Sequence, residues 1–203
     1  MKLIVISNPV NLNNEHKLLI SLFENGLEYF HLRKPGFTSE ELEAYIRQIP
    51  SEYKNRIVLH THHHLVDTYN LKGKHKTSES ANIGETGVQQ LPADNADERR
   101  KYISTSFHSI DEVLVCNYDY EYVFLSPVFD SISKENYKTT FNKNELKSFL
   151  NSYTEKIKIV ALGGINEDSI SQTIDMGFDG VAMIGAIWNN KNPVEEFMSL
   201  KKS

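Results

Sequence analysis

A chain of 203 residues is long enough to bury one substantial hydrophobic core, and we expect a single domain over residues 1–203. The formal net charge of −5 argues against nucleic-acid binding as the main function, although a locally positive pocket for small anions stays open. No apolar run approaches the roughly 20 residues of a membrane span, one cysteine excludes an internal disulfide, and no targeting segment is indicated, so we expect a cytoplasmic protein.

Short apolar runs recur along the chain, separated by polar or amphipathic stretches. Several are near-continuous in Val, Ile, Leu and Phe, which is typical of strands covered on both faces. Seven strands are predicted in this way, at 3–7, 29–33, 56–60, 102–105, 122–128, 157–164 and 180–187. An eighth candidate, "GKHKT" at 73–77, has a composition that strand propensity alone does not favour.

Capping signals predict helices between these strands. Thr38 and Glu41 form a capping box before the helical segment "SEELEAYIRQI", which Pro50 closes. Ser109 and Glu112 form a second capping box, which predicts a helix that starts after Ser109. We also expect a helix that is capped by Asn166 and ends near Gly177. Its inward-facing residues would be Ile170 and Ile174. In the helix after Thr38, the inward-facing residues would be Leu42, Tyr45, Ile46 and Ile49.

Alternation of strands and helices implies parallel pairing through right-handed crossovers. Eight such units in about 200 residues predict a compact (β/α)8 barrel, with an open doubly wound sheet as the alternative. Glycine-bearing turns after the last two strands favour the barrel. Residues 78–100 have the least regular pattern, and we interpret them as a loop with a short helix.

Chemistry in such a barrel is expected where the strands end. Gly163 and Gly164 follow the seventh strand and Gly185 the eighth, and each turn can present backbone N–H groups to a phosphate. Hydroxyls and cations after other strands suit anionic oxygens. These candidates are Arg33 after the second strand, Ser106 and His108 after the fifth, and Ser131, Ser133 and Lys134 after the sixth.

In this order and spacing, "HLRKP", "STSFHS", "SPVFDSISK", "ALGGI" and "GVAMIGAI" resemble the thiamine phosphate synthases and the related thiazole tautomerases. The resemblance covers roughly residues 3 to 190. It implies a (β/α)8 barrel that acts in thiamine biosynthesis. The expected reaction couples hydroxymethylpyrimidine pyrophosphate to thiazole phosphate and releases pyrophosphate with the help of Mg²⁺. The implied partners are these two small phosphorylated substrates, and a homo-oligomer stays open.

The resemblance also implies roles for individual residues. Arg33 and Lys134 would hold the pyrophosphate, and Ser106 would contact the pyrimidine; these three are the catalytic candidates. Ser131 and Ser133 stand where the family usually has threonines. The cradle for the thiazole phosphate would be formed by Gly163, Gly164, Ile184 and Gly185, and His31, His60 and His108 complete the set of candidate binding residues.

This sequence also departs from the family's pattern. His31 replaces a glutamine, and Pro35 replaces a lysine, for which the adjacent Lys34 could substitute. At the end of the third strand, His60 and Thr61 replace an Asn-Asp pair whose aspartate binds magnesium. The second magnesium aspartate corresponds to Ser80, where only the neighbouring Glu79 could supply a carboxylate. The metal ligands are therefore unknown, because imidazole is a poor ligand for Mg²⁺.

The stretch "HTHHHL", which begins at His60, has four histidines within the five positions 60–64. Three interpretations stay open: solvent-facing residues that begin the next helix, histidines that contact an anion, and a Zn²⁺ or similar site completed by His75 or His108.

Two other functions also stay open. A tautomerase-like isomerase would need His31, His60 or His108 as its base, because Pro127 occupies the position of the tautomerase histidine. A non-catalytic barrel that binds thiazole phosphate or thiamine phosphate is the third possibility.

Overall fold

The computed structural model describes residues 1–77, 102–130 and 138–202. Within these ranges, eight parallel strands form a closed barrel in chain order, and the last strand pairs with the first. The strands are β1 (Lys2–Ile6), β2 (Tyr29–Leu32), β3 (Ile57–Leu59), β4 (Gly73–Lys76), β5 (Tyr102–Phe107), β6 (Tyr122–Leu125), β7 (Lys158–Leu162) and β8 (Gly180–Met183). The predicted (β/α)8 barrel is confirmed, and the open-sheet alternative is wrong.

The eighth candidate strand, β4, is formed against its propensity by its position in the barrel. Its backbone pairs with β3 on one side and with β5 on the other. All four of its residues are buried, including Lys74 and Lys76. Strand alternation sends His75 into the barrel interior. Tertiary context therefore decides the structure of "GKHK", as is common for β-strands.

Helices follow the strands along the described chain. They are α1 (Glu15–Glu24), α2 (Ser39–Arg47), α3 (Ser51–Lys54), α4 (Leu65–Thr68), α5 (Ile110–Leu114), α6 (Lys143–Ser152), α7 (Glu167–Met176), α8 (Gly185–Trp188) and α9 (Pro193–Lys202). Both predicted capping boxes form, at Thr38–Glu41 and at Ser109–Glu112. The segment predicted as a loop with a short helix, 78–100, lies outside the described residues.

The helix α7 confirms its predicted ends and corrects one of its predicted core residues. The Asn166 side chain accepts a hydrogen bond from the backbone N–H of Ser169, and Gly177 ends the helix in the left-handed conformation. Ile170 is fully buried, whereas Ile174 is 38% exposed. Thr173 occupies the buried position instead, because its hydroxyl donates to the Ser169 carbonyl and so needs no solvent.

Apolar side chains form two layers of core. The larger layer lies between the strands and the helices. The smaller one lies inside the barrel and consists of Ile4, Ile6, Tyr122, Phe124, Val160 and Ala182. This inner group covers only part of the barrel interior, and polar side chains fill the part that β2 to β5 enclose. Among the described residues, no helix has the length and apolar character needed to cross a membrane.

Candidate functional site

A cluster of three buried histidines lies inside the barrel near its mouth, the end where the strands reach their carboxyl termini. His31 is on β2, His60 follows β3, and His75 is on β4. We call these three residues the histidine cluster. The register places His31 opposite Val58 of β3, and His75 opposite Ser104 of β5. Alternation along adjoining strands therefore directs the three rings into one space.

Hydrogen bonds join His31 to two neighbours. Its Nδ1 lies 2.9 Å from Nε2 of His60, and its Nε2 lies 2.5 Å from the hydroxyl oxygen of Tyr122. His31 has no exposed surface, so both ring nitrogens need these partners. Tyr122 thus connects the polar histidine cluster to the apolar group inside the barrel.

Two serines of β5 hold the third histidine of the cluster. Nδ1 of His75 lies 2.8 Å from Oγ of Ser104, and its Nε2 lies 3.1 Å from Oγ of Ser106. The rings of His60 and His75 stack with their centroids 4.1 Å apart and 23° between their planes. Ser106 is closer to the mouth along β5, so Nε2 of His75 faces the mouth.

Burial keeps the histidine cluster neutral. The pKa values of His31 and His60 are lowered well below 6.5, and desolvation by burial is the largest cause for both. Desolvation is also the largest cause for His75, whose pKa is lowered to about 3. The positive charge of Arg33 adds to the lowering for His60 and His75. At neutral pH these rings therefore have lone pairs available for a hydrogen bond or a metal ion.

Arg33 and Lys34 are adjacent in sequence but have different surroundings. Arg33 is exposed, and its backbone is fixed by Ser7, whose hydroxyl exchanges hydrogen bonds of 2.8 Å with the Arg33 N–H and carbonyl. Lys34 is 1% exposed and pairs with the carboxylate of Glu15. The expectation that Lys34 could replace the family lysine at the site is therefore wrong, because its ammonium is held inside the protein.

The histidine run, which we define as His62, His63 and His64, follows His60 in the chain, and only His63 of the run lies near the histidine cluster, where it adds to the lowering of the pKa of His60 and His75. The interpretation that these residues begin the next helix and face solvent holds only for His64, which is exposed and is the N-cap residue of α4; His62 and His63 are half-buried, and His62 has the left-handed φ of 51°. Nε2 of His62 lies 2.9 Å from the carbonyl oxygen of Phe37, and Nε2 of His64 lies 3.0 Å from Oγ of Ser39. These contacts attach the run to the segment that starts α2.

Gly163 and Gly164 make a turn after β7 that packs closely against the segment after β6. Their φ values are 97° and 67°. A Cβ on Gly163 would lie 2.9 Å from Cα of Pro127, and a Cβ on Gly164 would lie 2.5 Å from the carbonyl oxygen of Asp130. Glycine is therefore required here by both backbone conformation and space. The close approach brings the backbones of two adjacent strand ends together at the mouth.

The turn after β8 leaves the start of α8 without a side-chain cap. Ile184 is the residue before this helix, with φ −125° and ψ −78°, and it accepts no capping hydrogen bond through its side chain. Its carbonyl receives the N–H groups of Ile187 and Trp188. Gly185 thus begins a helical turn at the mouth, where the sequence predicts a phosphate cradle.

Other predicted site residues lie at the mouth or outside the described ranges. Ser106 is half-buried beside His75, and exposed His108 has Nδ1 2.8 Å from the carbonyl oxygen of Ser126. Thr61, in the position of the family's magnesium aspartate, is exposed. Four further candidates, Ser131, Ser133, Lys134 and Glu79, lie outside the described residues.

The described residues do not provide a site that suits Mg²⁺. The group of potential metal ligands found in the described ranges consists of His31, His60 and His75, with one ligand atom from each lying within 4.8 Å of the others. Mg²⁺ prefers oxygen ligands in octahedral geometry, whereas neutral imidazole suits softer transition metals. His75 does lie beside His60, as one interpretation of the sequence expected, but His108 is not part of this group.

The sequence pattern alone does not bring this cluster together. It marks His31 as a substitution and His75 as a distant partner, and it does not single out Ser104 or Tyr122. The signal was present, because His31, His75, Ser104 and Tyr122 all occupy inward-facing positions of predicted strands. A register for the weak strand at 73–77 would have been needed to bring them together.

Comparison with known proteins agrees with this geometry. Residues 3–187 match the thiamine monophosphate synthase family. A crystal structure of thiamine phosphate pyrophosphorylase from Bacteroides thetaiotaomicron is similar, with a TM-score of 0.80 and 34% identity over 100% of this chain and 96% of that one. Thiamine-phosphate synthase from Leptospira biflexa is 25% identical over 98% of this chain and 94% of its own length. That from Anoxybacillus flavithermus is 32% identical over 47% of this chain and 44% of its own.

Fold and site together define a (β/α)8 barrel with polar groups and glycine turns gathered at its mouth. Within this class, the chain belongs to the thiamine monophosphate synthase family.

Proposed function

We propose that the protein is a thiamine-phosphate synthase, a transferase that joins hydroxymethylpyrimidine pyrophosphate to thiazole phosphate and releases pyrophosphate. The observation that carries this proposal is the family match over residues 3–187, which includes the strand ends that form the mouth. The full-length similarity to the Bacteroides thetaiotaomicron pyrophosphorylase supports it. A reducing compartment suits the lone Cys116, and we infer that the protein acts in the cytoplasm.

Arg33 is proposed to bind the pyrophosphate of the pyrimidine substrate. Its side chain is exposed, while its backbone is fixed to Ser7 at both the N–H and the carbonyl. Its charge reaches the histidine cluster, where it lowers the pKa of His60 and His75. A guanidinium so placed can bind phosphate oxygens with two parallel hydrogen bonds. By the resemblance, Ser131, Ser133 and Lys134 would add hydroxyls and a second cation.

The glycine turns after β7 and β8 are proposed to bind the phosphate of the thiazole substrate. The positive φ values of Gly163 and Gly164 are supported by close packing against Pro127 and Phe129. Gly185 starts α8, which has no side-chain cap. Backbone N–H groups in such turns bind phosphate without a charged side chain.

These two anion sites would position the substrates for the transfer. The C–O bond between the pyrimidine methylene and the pyrophosphate breaks, the pyrophosphate leaves with the bonding electrons, and the thiazole nitrogen forms the new C–N bond. Arg33 would stabilise the negative charge of the leaving group, and Ser106 would orient the pyrimidine from β5. His60 would lie beneath the pyrimidine, and the fully buried His31 behind it would hold the His60 ring. The described residues do not fit Mg²⁺, and no part of this assignment depends on it.

A tautomerase-like reaction is less well supported by the site. It needs a base that removes a proton at neutral pH. Burial lowers the pKa of His31 and His60 well below 6.5, which makes both rings weak bases. His108 is exposed, and its Nδ1 contacts the Ser126 carbonyl. The third possibility is a non-catalytic barrel that only binds the phosphorylated compounds, and the experiment must distinguish it from both enzymes.

The experiment is to incubate the purified protein with both substrates and to measure thiamine phosphate by chromatography. Separate reactions contain Mg²⁺, Mn²⁺, Co²⁺ or Zn²⁺, and one contains a chelator. We expect thiamine phosphate in at least one reaction, and its loss in Arg33→Ala. Absence of product with every metal would refute the transferase assignment. Hydrogen–deuterium exchange of the thiazole compound without the pyrimidine would then indicate an isomerase, and thermal stabilisation without turnover a binder.

A further inference from the structure

We propose that His31, His60 and His75 form a binding site for a first-row transition-metal ion of the Zn²⁺ type inside the barrel mouth. One ligand atom from each residue lies within 4.8 Å of the other two. Zn²⁺ binds imidazole nitrogen at about 2.0–2.1 Å, so two tetrahedral ligands lie roughly 3.3 Å apart. The 2.9 Å between His31 Nδ1 and His60 Nε2 has to widen by a few tenths of an ångström, and His75 has to move closer.

Neighbours of the histidine cluster select which nitrogen would face the metal in two of its three rings, those of His31 and His75. Tyr122 holds Nε2 of His31, which leaves Nδ1 free to bind. Ser104 holds Nδ1 of His75, and Nε2, on the side of the mouth, would exchange its contact with the Ser106 hydroxyl for the metal. Hydrogen bonds to the outward nitrogen of a ligating histidine fix its tautomer and orientation. The hydrogen bonds of Tyr122 and Ser104 to these two rings are present before any metal binds.

Metal binding requires a defined rearrangement of the cluster. The rings of His60 and His75 are stacked with 23° between their planes, so their lone pairs do not point to one place. One of these rings must turn about its Cβ–Cγ bond. The proton of the hydrogen bond between His31 Nδ1 and His60 Nε2 must also move to the other nitrogen of the ring that carries it, Nε2 of His31 or Nδ1 of His60. Each ring then keeps one N–H, and no net proton is released.

Donor chemistry sets the kind of ion. Three neutral nitrogen ligands suit Zn²⁺, Co²⁺ or Ni²⁺ and disfavour Mg²⁺. Three protein ligands also leave a fourth position for water or a substrate oxygen. The hydroxyl of Ser106 lies 3.1 Å from His75 Nε2, on the side of the mouth from which such an oxygen would enter. The site does not depend on the proposed transferase function, since binding can be measured without substrate.

The test is a titration of the metal-free, full-length protein with Co²⁺, followed by its visible absorption. We expect one tightly bound Co²⁺ per chain with the intense absorption of a tetrahedral site, displaced by Zn²⁺ and unaffected by excess Mg²⁺. Separate His31→Gln, His60→Gln and His75→Gln variants should each weaken binding by at least about 100-fold, the upper range for changes around a metal ligand.

The histidine run supplies the matched control. His62 and His64 contact Phe37 and Ser39 near the surface, so the double variant His62→Gln/His64→Gln should bind Co²⁺ as the wild type does. Wild-type protein with no stoichiometric site, or a site lost only in this double variant, would overturn the proposal. A measurement that needs no variant covers the case of poor folding: X-ray absorption of the Zn²⁺-loaded wild type should show three imidazole ligands, and fewer than three would contradict the assignment.

Discussion

The interior of the barrel has two halves that are filled by different chemistry. One half, on β1 and β6 to β8, presents Ile4, Ile6, Phe124, Val160 and Ala182. The other half, on β2 to β5, presents His31, His60, His75, Ser104 and Ser106. Tyr122 belongs to both, because its ring packs with the apolar group and its hydroxyl reaches His31.

These halves obey different rules of stability. Apolar side chains are held by burial and packing, without a required partner for each atom. A buried polar atom needs a specific partner, because an unpaired one costs about 1–3 kcal/mol. The apolar half therefore provides a rigid wall, and the polar half provides the side chains that can bind a ligand or an ion.

The largest effect is expected in the apolar half. Phe124 is fully buried between the two groups, and Phe124→Ala should lower the free energy of unfolding by about 3–5 kcal/mol through lost burial and a new cavity. Urea denaturation of metal-free protein measures this. Phe124→Leu, the control that keeps most of the volume, should cost less. An alanine variant as stable as the wild type would show that this half is not a packed wall.

The next largest loss of stability is expected at the turn of Gly163 and Gly164, which follows β7 in the apolar half. Gly164→Ala places a Cβ 2.5 Å from the Asp130 carbonyl oxygen at a φ of 67°, and should cost about 1–3 kcal/mol or more. Gly36→Ala is the matched control, because it shares a positive φ but has open space around its Cβ. Equal losses of stability in the two variants would show that backbone conformation alone, and not close packing, requires Gly164.

Tyr122 tests the boundary between the halves. Tyr122→Phe keeps the ring and removes the hydroxyl that pairs with His31 Nε2, so metal-free protein should lose about 1–3 kcal/mol of stability. The same variant should weaken Co²⁺ binding by about 10- to 100-fold, because it removes the hydroxyl that orients the His31 ring. Ser199→Ala on α9 is the control: it removes a hydrogen bond to Glu167 on α7, far from the histidine cluster, so it should change stability by no more than about 0.5 kcal/mol and leave Co²⁺ binding unchanged. If Tyr122→Phe leaves both unchanged, the two halves are not coupled through this residue.

The smallest change in stability is expected at Arg33, where function should change most. Its side chain is exposed, so Arg33→Ala should alter the free energy of unfolding by no more than about 0.5 kcal/mol. Binding of inorganic pyrophosphate, measured by calorimetry, should be weakened by at least 10-fold, equivalent to about 1.4 kcal/mol. Arg33→Lys should recover only part of the affinity, because lysine lacks the bidentate geometry. Unchanged binding in Arg33→Ala would remove this residue from the proposed site.

The sequence allowed the barrel to be predicted because local and long-range signals agree. Strand runs such as "YVFL" of β6 are nearly pure in residues that favour strands, and capping boxes at Thr38 and Ser109 mark where helices begin. Even the weak strand at 73–77 could be proposed, because the alternation needed an eighth member. Its formation still depended on its two neighbours in the sheet.

The candidate site was harder to predict, because its geometry depends on register. The spacing of the four histidines between 60 and 64 indicates a run, but the chain turns at His62, so that His60 lies inside the barrel while His62 and His64 contact the segment that starts α2. Lys34 showed the same difficulty, since nothing near it in sequence indicates that Glu15 lies beside it. Both outcomes depend on contacts between residues far apart in the chain, which spacing alone does not encode.

The burial of Lys34 makes this residue a natural reporter of motion at the mouth. Its ammonium donates hydrogen bonds to the carbonyl oxygens of Asn8 and Val10, at 2.8 and 2.9 Å, so it secures the segment after β1. Amine-acylating reagents should label exposed lysines quickly but reach Lys34 only when that segment detaches. The rate of labelling at this one position would therefore measure how often the rim opens, and whether a bound substrate closes it.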